Sequence, residues 1–397
     1  MSAVGIIQPR PSPFAAWRDA KARAILIQIV VLCVVVLAMA YLARNAALSL
    51  SRQHIATGFA FLQHTAGFGI AQTLIDYTEE STYGRALIVG LLNTLWVSVL
   101  GIVFATVLGF VVGIARLSKN WLIARLATLY IETLRNVPLL LQIFFWYYAV
   151  LRNLPLPANS YAIGNIFFLN QRGLYVPQLA AQPGVWWAAA ALVVGIAAAI
   201  ILRWRMRVRQ MRTGEHFGLF WPTLGLVIGL PLVALAAAGF PFAVSLPELH
   251  GFNFVGGLLV LPELIALVLA LTLYEATYIA EIVRAGIQGV ARGQTEASRA
   301  LGLKPKYTLR LVILPQALRL IIPPLTSQYL SLTKNSSLAV AIAYPDLVSV
   351  FAGTVLNQTG QAIEVLTITM GIYLALSLAT SALMNWYNRA QALKGLA

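Results

Sequence analysis

Few residues in this chain carry charge, and some of those that do lie inside or beside long apolar stretches. Glu132, Arg135, Glu275, Glu281, Arg284 and Lys334 are the clearest examples. A charge held among apolar helices is costly unless paired, so each is a candidate either for binding a charged group in transit or for fastening one helix to another. Glu132 and Arg135 stand three residues apart, as do Glu281 and Arg284, the helical interval at which opposite charges meet. Glu275 and Lys334 have no such local partner. They either pair with each other across the fold or serve a bound molecule, with Asn335, Ser336 and Ser337 supplying polar groups beside Lys334.

Covalent and metal chemistry is poorly provided for. The single Cys33 lies in an apolar run, which excludes an internal disulfide and a cysteine-based metal cluster. His54, His64, His216 and His250 are scattered without the spacing that holds zinc. Neither a nucleophile elbow nor a glycine-rich phosphate loop is present, so the chain is not expected to cradle ATP, to bind a cofactor or to act as an enzyme. Energy for any work must come from a partner or from an ion gradient.

The elements that position these residues follow from composition. Of 397 residues, 59% are hydrophobic and 10% charged, a balance that excludes an ordinary water-soluble domain. In a bilayer every backbone N–H and C=O must be satisfied internally, so the apolar stretches are expected to be helices and the fold an all-α polytopic membrane protein. Eight spans are expected, at 24–43, 86–115, 126–151, 185–202, 217–240, 256–282, 311–333 and 365–384. The first is too long for a cleaved signal core and reads as a span. The second is longer than a bilayer requires and must tilt or bend. The third carries Glu132 and Arg135, which places its first half outside the apolar core. Pro315, Pro323 and Pro324 are expected to break or kink the seventh, because proline removes a backbone donor and crowds the preceding turn.

Net charge is +15, which in a soluble protein would suggest nucleic acid; here its distribution speaks of topology instead. With the N-terminus inside, twenty basic residues fall on the cytoplasmic side and five outside, which predicts both termini in the cytoplasm and no nucleic-acid partner. The run Arg203–Arg212 reads first as a topology anchor and second as a site for anionic lipid headgroups.

Between the sixth and seventh expected spans lies Gly293-Gln294-Thr295-Glu296-Ala297-Ser298-Arg299-Ala300-Leu301-Gly302, followed by Val312-Ile313-Leu314-Pro315. Thr295 suits an N-cap, Glu296 the positive end of a helix, and Gly302 the left-handed residue that stops one. Ala297, Ala300 and Leu301 would give a small apolar face able to enter a groove on another protein. The plainer alternative is an amphipathic cytoplasmic helix with no partner.

This stretch resembles the Glu-Ala-Ala…Gly…Ile-x-Leu-Pro loop of ATP-binding-cassette importer permeases, with Ser298 and Val312 as mild departures. Asn93-Thr94-Leu95 with Ser98, Arg135-Asn136-Val137-Pro138-Leu139 with Gln142, Tyr278-Ile279-Ala280-Glu281 with Arg284, and Lys334-Asn335-Ser336-Ser337-Leu338 resemble the polar amino-acid uptake branch. The likeness covers about 87–154 and 254–390, and the enlarged plan is most similar to permeases of general L-amino-acid systems.

What the resemblance implies is a type-I permease core of about five helices, enlarged by an N-terminal helix and a two-helix insertion at about 155–253. The segments are then a cytoplasmic N-terminus (1–23), an extra helix and periplasmic loop (24–85), the permease domain (86–390) and a cytoplasmic coupling loop (285–310). Glu296, Ala297, Ser298, Ala300, Leu301 and Gly302 would couple to separate ATPase subunits, which bind ATP and Mg. A periplasmic amino-acid-binding protein would deliver substrate, and a second permease or another copy of this chain would complete the pore in the bacterial inner membrane. An amino acid needs an acceptor for its ammonium and donors for its carboxylate. Glu275, with Glu281 as a weaker candidate, would supply the first; Lys334, Asn335, Ser336 and Ser337 would supply the second. A gradient-driven secondary transporter and a membrane enzyme or scaffold are the competing classes. The first leaves the docking helix without a purpose, and the second lacks a clustered catalytic set.

Overall fold

The computed structural model describes residues 20–52, 57–182, 184–214, 218–240 and 242–393; most of the expected cytoplasmic N-terminus, His54, His216 and Lys394 lie outside them. Seven described helices are long and apolar enough to span a bilayer: α1 (Ala20–Arg52), α2 (Tyr83–Arg116), α5 (Val185–Thr213), α6 (Phe220–Ala237), α7 (Pro262–Gln288), α9 (Pro305–Ile342) and α11 (Ala362–Leu393). An eighth crossing is made by α3 (Trp121–Asn136) and α4 (Leu139–Asn153), which meet at a 101° bend. The expected third span is therefore two helices. Pro138 offers no backbone donor at the corner, and the buried Gln142 side chain donates to the carbonyls of Leu134, at 2.8 Å, and Val137, at 3.0 Å.

The seventh expected span behaves differently. Rather than breaking, α9 runs through Pro323 and Pro324 as continuous helix. It opens with a wide π-type turn at Thr308–Ile313 and closes with tight turns at Ser336–Ile342, so irregularity sits at its two ends. The short helix α8 (Arg292–Ala300) lies between α7 and α9, and α10, a short helix at 348–359, lies between α9 and α11. Sequence periodicity did not mark α10.

The core forms where α2 lies along α7 and α9 packs on α7. Small residues permit the contact: a Cβ on Gly109 would sit 2.6 Å from Ile279, and one on Gly113 2.7 Å from the Ala280 carbonyl. Ala105, Ile279, Val283, Ala317, Ile321 and Leu332 fill one half of this core. Val97, Ile143, Leu267, Leu271, Ile342 and Tyr344 fill the other, where α4 also enters. The Asn93-Thr94 pair closes one end: Asn93 Nδ2 donates to the carbonyls of Gln72 and Pro345, each at 2.8 Å, and Thr94 Oγ1 accepts from Leu347 N at 2.9 Å.

The insertion has two parts. α5 and α6 form a hairpin, closely packed where a Cβ on Gly195 would collide with the Leu226 carbonyl. Short strands flank it: β1 (Tyr161–Ile163), β2 (Phe167–Asn170), β3 (Gly173–Val176), β4 (Gln178–Ala181), β5 (Phe242–Ser245), β6 (Glu248–His250), β7 (Asn253–Val255) and β8 (Leu258–Val260). All pair antiparallel, in the order β1-β2-β3-β8, with β4-β5 and β6-β7 as separate pairs. Thus the membrane part is all-α, with small sheets outside it. The expected sixth span begins later than hydropathy indicated, because its first residues pair as β8.

Candidate functional site

The loop between α7 and α9 is organised by α8. Its N-terminus is set at Ala291, which precedes the first helical residue Arg292, so Thr295 lies inside the helix and does not cap it. At the other end Leu303 N donates to Ser298 O at 3.1 Å and Gly302 N to Arg299 O at 2.9 Å, with φ of +74° at Gly302. That pair of bonds is a Schellman motif, which satisfies carbonyls at the helix end and places a left-handed residue there. Space around Gly302 is open, so a side chain there meets backbone strain and not a clash.

Two faces of α8 differ sharply. Ser298 is buried against the permease and donates to Gln294 O at 2.7 Å, while Gln294 accepts from Gln316 of α9 at 3.3 Å. Ser298, named among the coupling residues, therefore lies on the buried face of α8. Glu296, Ala297, Ala300 and Leu301 face outward, with Leu301 81% exposed. This leaves an exposed leucine beside alanines on a helix whose loop is bounded by two spans.

Deeper in the bundle, Glu275 has no exposed surface and accepts hydrogen bonds from Gln328 Nε2 and from Asn335 Nδ2, the second at 2.8 Å. Among the described residues no ion pair joins it to Lys334, so the pairing expected as one of its two alternatives is not formed. Lys334 is exposed and lines a groove of about 490 Å³ with Ser337, Val348, Thr369, Tyr373 and Ser377. Ser336 is buried and donates to Thr333 O at 2.8 Å, and Ser337 donates to Lys334 O at 2.7 Å. The chain continues here as tight turns over Ser336–Ile342 and not as a helix break. Of the expected set, Lys334 and Ser337 line this groove, whereas Glu275 and Asn335 form the support beneath.

Glu281 is a fastener. It pairs with Arg116 of α2 and, at 2.9 Å, with Arg284, whose guanidinium also donates to Gln288 at 2.6 Å. The Glu281–Arg284 spacing was legible; Arg116 was not, since it arrives from another helix. Glu132 and Arg135 do not form the expected pair among the described residues. Instead the Arg135 guanidinium lies over the Tyr278 ring, 5.0 Å from its centroid, and Tyr278 shares a 2.9 Å hydrogen bond with Tyr274.

Residues 219–392 match the family described as binding-protein-dependent transport system inner membrane component, a stretch that holds α8, Glu275 and Lys334. The chain is 55% identical to the putative amino-acid ABC transporter permease protein YhdX of Escherichia coli, over 92% of this chain and 93% of that one. It is 51% identical to the general L-amino acid transport system permease protein AapQ of Rhizobium johnstonii, over 96% and 94% of the two chains. The chain belongs to the amino-acid branch of the ABC importer permeases. With the glutamate/glutamine/aspartate/asparagine transport system permease protein BztB of Rhodobacter capsulatus, identity is 43% over 95% of each chain. These alignments run almost end to end and so include α1 and the insertion. An ABC importer permease is a multi-pass subunit of the inner membrane that works with ATPase subunits and other permease chains. Membership therefore explains why the chain has spans and an exposed loop helix but no phosphate-binding loop of its own.

Proposed function

We propose that this permease carries L-amino acids, polar ones among them, into the bacterial cytoplasm after a periplasmic amino-acid-binding protein delivers them. The substrate class is supported by the names of the near full-length relatives, two of which name amino acids without a single preferred one. The observation that carries the reading is the exposed face of α8, presented on a loop whose ends are the spans α7 and α9. ATPase subunits, holding ATP and Mg, grip Glu296, Ala297, Ala300, Leu301 and Gly302, while Gln294 ties the helix to Gln316 of α9. Closing on ATP, they move α8 and with it the two spans that contain Glu275 and Lys334. A second permease, or a copy of this chain, completes the pathway. The twenty-to-five distribution of basic residues supports both termini in the cytoplasm, and the segmentation into 1–23, 24–85, 86–390 and a coupling loop at 285–310 follows.

Within the pathway, Lys334 and Ser337 take the carboxylate of the amino acid in the groove. Glu275 acts through Asn335, holding the adjacent turn in place. Membrane vesicles containing the assembled transporter test the reading. Uptake should require ATP and persist when the ion gradients are collapsed; uptake that follows the gradient and ignores ATP would return the chain to the secondary-transporter class.

A further inference from the structure

The insertion hairpin has a surface unlike the rest of the molecule. α5 has 29 residues, about 44 Å of helix, against a hydrocarbon core of about 30 Å. Part of it must stand outside the apolar layer. Trp186 and Trp187 are exposed near its first end, and Trp204 is exposed about 26 Å further on, a spacing that fits two membrane interfaces. Trp221, at the start of α6, is exposed in the same way. Arg203, Arg205, Arg207 and Arg212 are all exposed at or beyond the level of Trp204. Arg203 and Arg207 fall on one side of the helix and Arg205 and Arg212 on the other, at about 100° per residue.

No acidic residue occurs in α5 or α6, and among the described residues none of these four arginines forms an ion pair with a carboxylate. The connection between the helices contains one acid, Glu215. A topology signal needs only an excess of positive charge on one side. It does not require guanidinium groups on both sides of an outlying helix at the depth of an aromatic belt. That arrangement also suits a surrounding layer of anions better than the single face of a protein partner.

We infer that Arg203, Arg205, Arg207 and Arg212 bind the phosphate groups of anionic phospholipids around the hairpin. Under the topology proposed above these lie in the cytoplasmic leaflet, although the binding itself does not depend on which leaflet it is. Guanidinium forks match phosphate oxygens, and the exposed apolar surface of the same helix accepts the acyl chains. The hairpin is thus a lipid-held outrigger of the core.

The test uses the purified full-length chain in bilayer discs of phosphatidylcholine doped with phosphatidylglycerol, and counts lipids retained on the protein by native mass spectrometry. The parent should retain phosphatidylglycerol several-fold above its share of the bilayer. Arg203→Gln, Arg205→Gln, Arg207→Gln and Arg212→Gln combined should abolish that excess, and the four corresponding Lys substitutions should keep most of it. If the combined Gln variant fails to insert, the Arg203→Gln/Arg207→Gln and Arg205→Gln/Arg212→Gln pairs each leave charge for insertion and should each lower the excess. Near 1 M salt, where the screening length is about 3 Å, the excess on the parent should fall. Inorganic phosphate should not displace the lipid. An undiminished excess in the Gln variants, displacement by inorganic phosphate, or an excess that appears only with the ATPase bound would overturn the assignment.

Discussion

Glu275 accepts from Gln328 and Asn335, both on α9, while it stands itself on α7. Its carboxylate is therefore the joint between two spans, and Asn335 passes that constraint to Lys334 next door. Replacing it with glutamine turns one acceptor oxygen into a donor facing a donor, a mismatch worth about 1–3 kcal/mol in a buried site. Glu275→Gln is expected to lower uptake roughly fivefold or more at unchanged ATPase binding, since 1.4 kcal/mol is about tenfold. Undiminished uptake in that variant would remove Glu275 from the pathway. Asp346 makes a separate prediction. It is buried in the segment between α9 and α11, where Ser349 N donates to Oδ1 at 2.8 Å, and burial raises its pKa to about 7. The folded state therefore favours the protonated acid. Stability from this group is fully present below the usual carboxylate range and is lost as pH rises toward 7. Thermal unfolding in detergent should show the melting point of the parent falling across that window relative to Asp346→Asn. Such roles were only partly legible in the sequence. Glu275 stood out as a charge in an apolar run, but its partners lie 53 and 60 residues away, and no local spacing could name them.

At the scale of elements, α8 shows what local sequence fixes. Gly302 marked the end of the helix, because a left-handed stop strongly favours glycine. Its beginning was misjudged at Thr295: the helix starts at Arg292, and Gln294 in its first turn is held by Gln316 of α9. The apolar spans were legible for the same physical reason: the bilayer leaves the backbone little choice. By contrast, the strands are three or four residues long and several pair at long range, as β3 does with β8, so no alternation could reveal them. The start of α8 at Arg292 sets what a charge reversal at Glu296 would do. Glu296 lies in its second turn, so Glu296→Lys reverses a weaker helix-end interaction, at most about 0.3–1 kcal/mol, besides changing the face offered to the ATPase. Uptake by reconstituted complexes should fall by a few-fold in this variant and not vanish. Complete loss with normal ATPase retention would mean that Glu296 makes a specific contact of its own.

The whole molecule is a compact helical core with additions at its margin. α1 buries none of its apolar span within the chain, and α6 likewise buries none. Elements that stand apart in this way must meet lipid or other subunits, whereas α2, α7 and α9 pack on one another as the central unit. On the proposed reading α8 is the exposed helix that links this unit to the ATPase through two spans at once, so the account stands or falls on α8. The decisive measurement is ATP-driven amino-acid uptake by proteoliposomes holding the complete transporter, parent against Gly302→Asp, with ATPase retention scored on the same preparations. A residue with a β-carbon at φ of +74° is strained by about 1 kcal/mol, and a carboxylate there opposes the negative end of the helix. The variant should insert with its spans intact and lose uptake, either by shedding the ATPase or by hydrolysing ATP without transport. A Gly302→Asp complex that keeps its ATPase and imports at the parental rate would contradict the assignment of α8 as the coupling element.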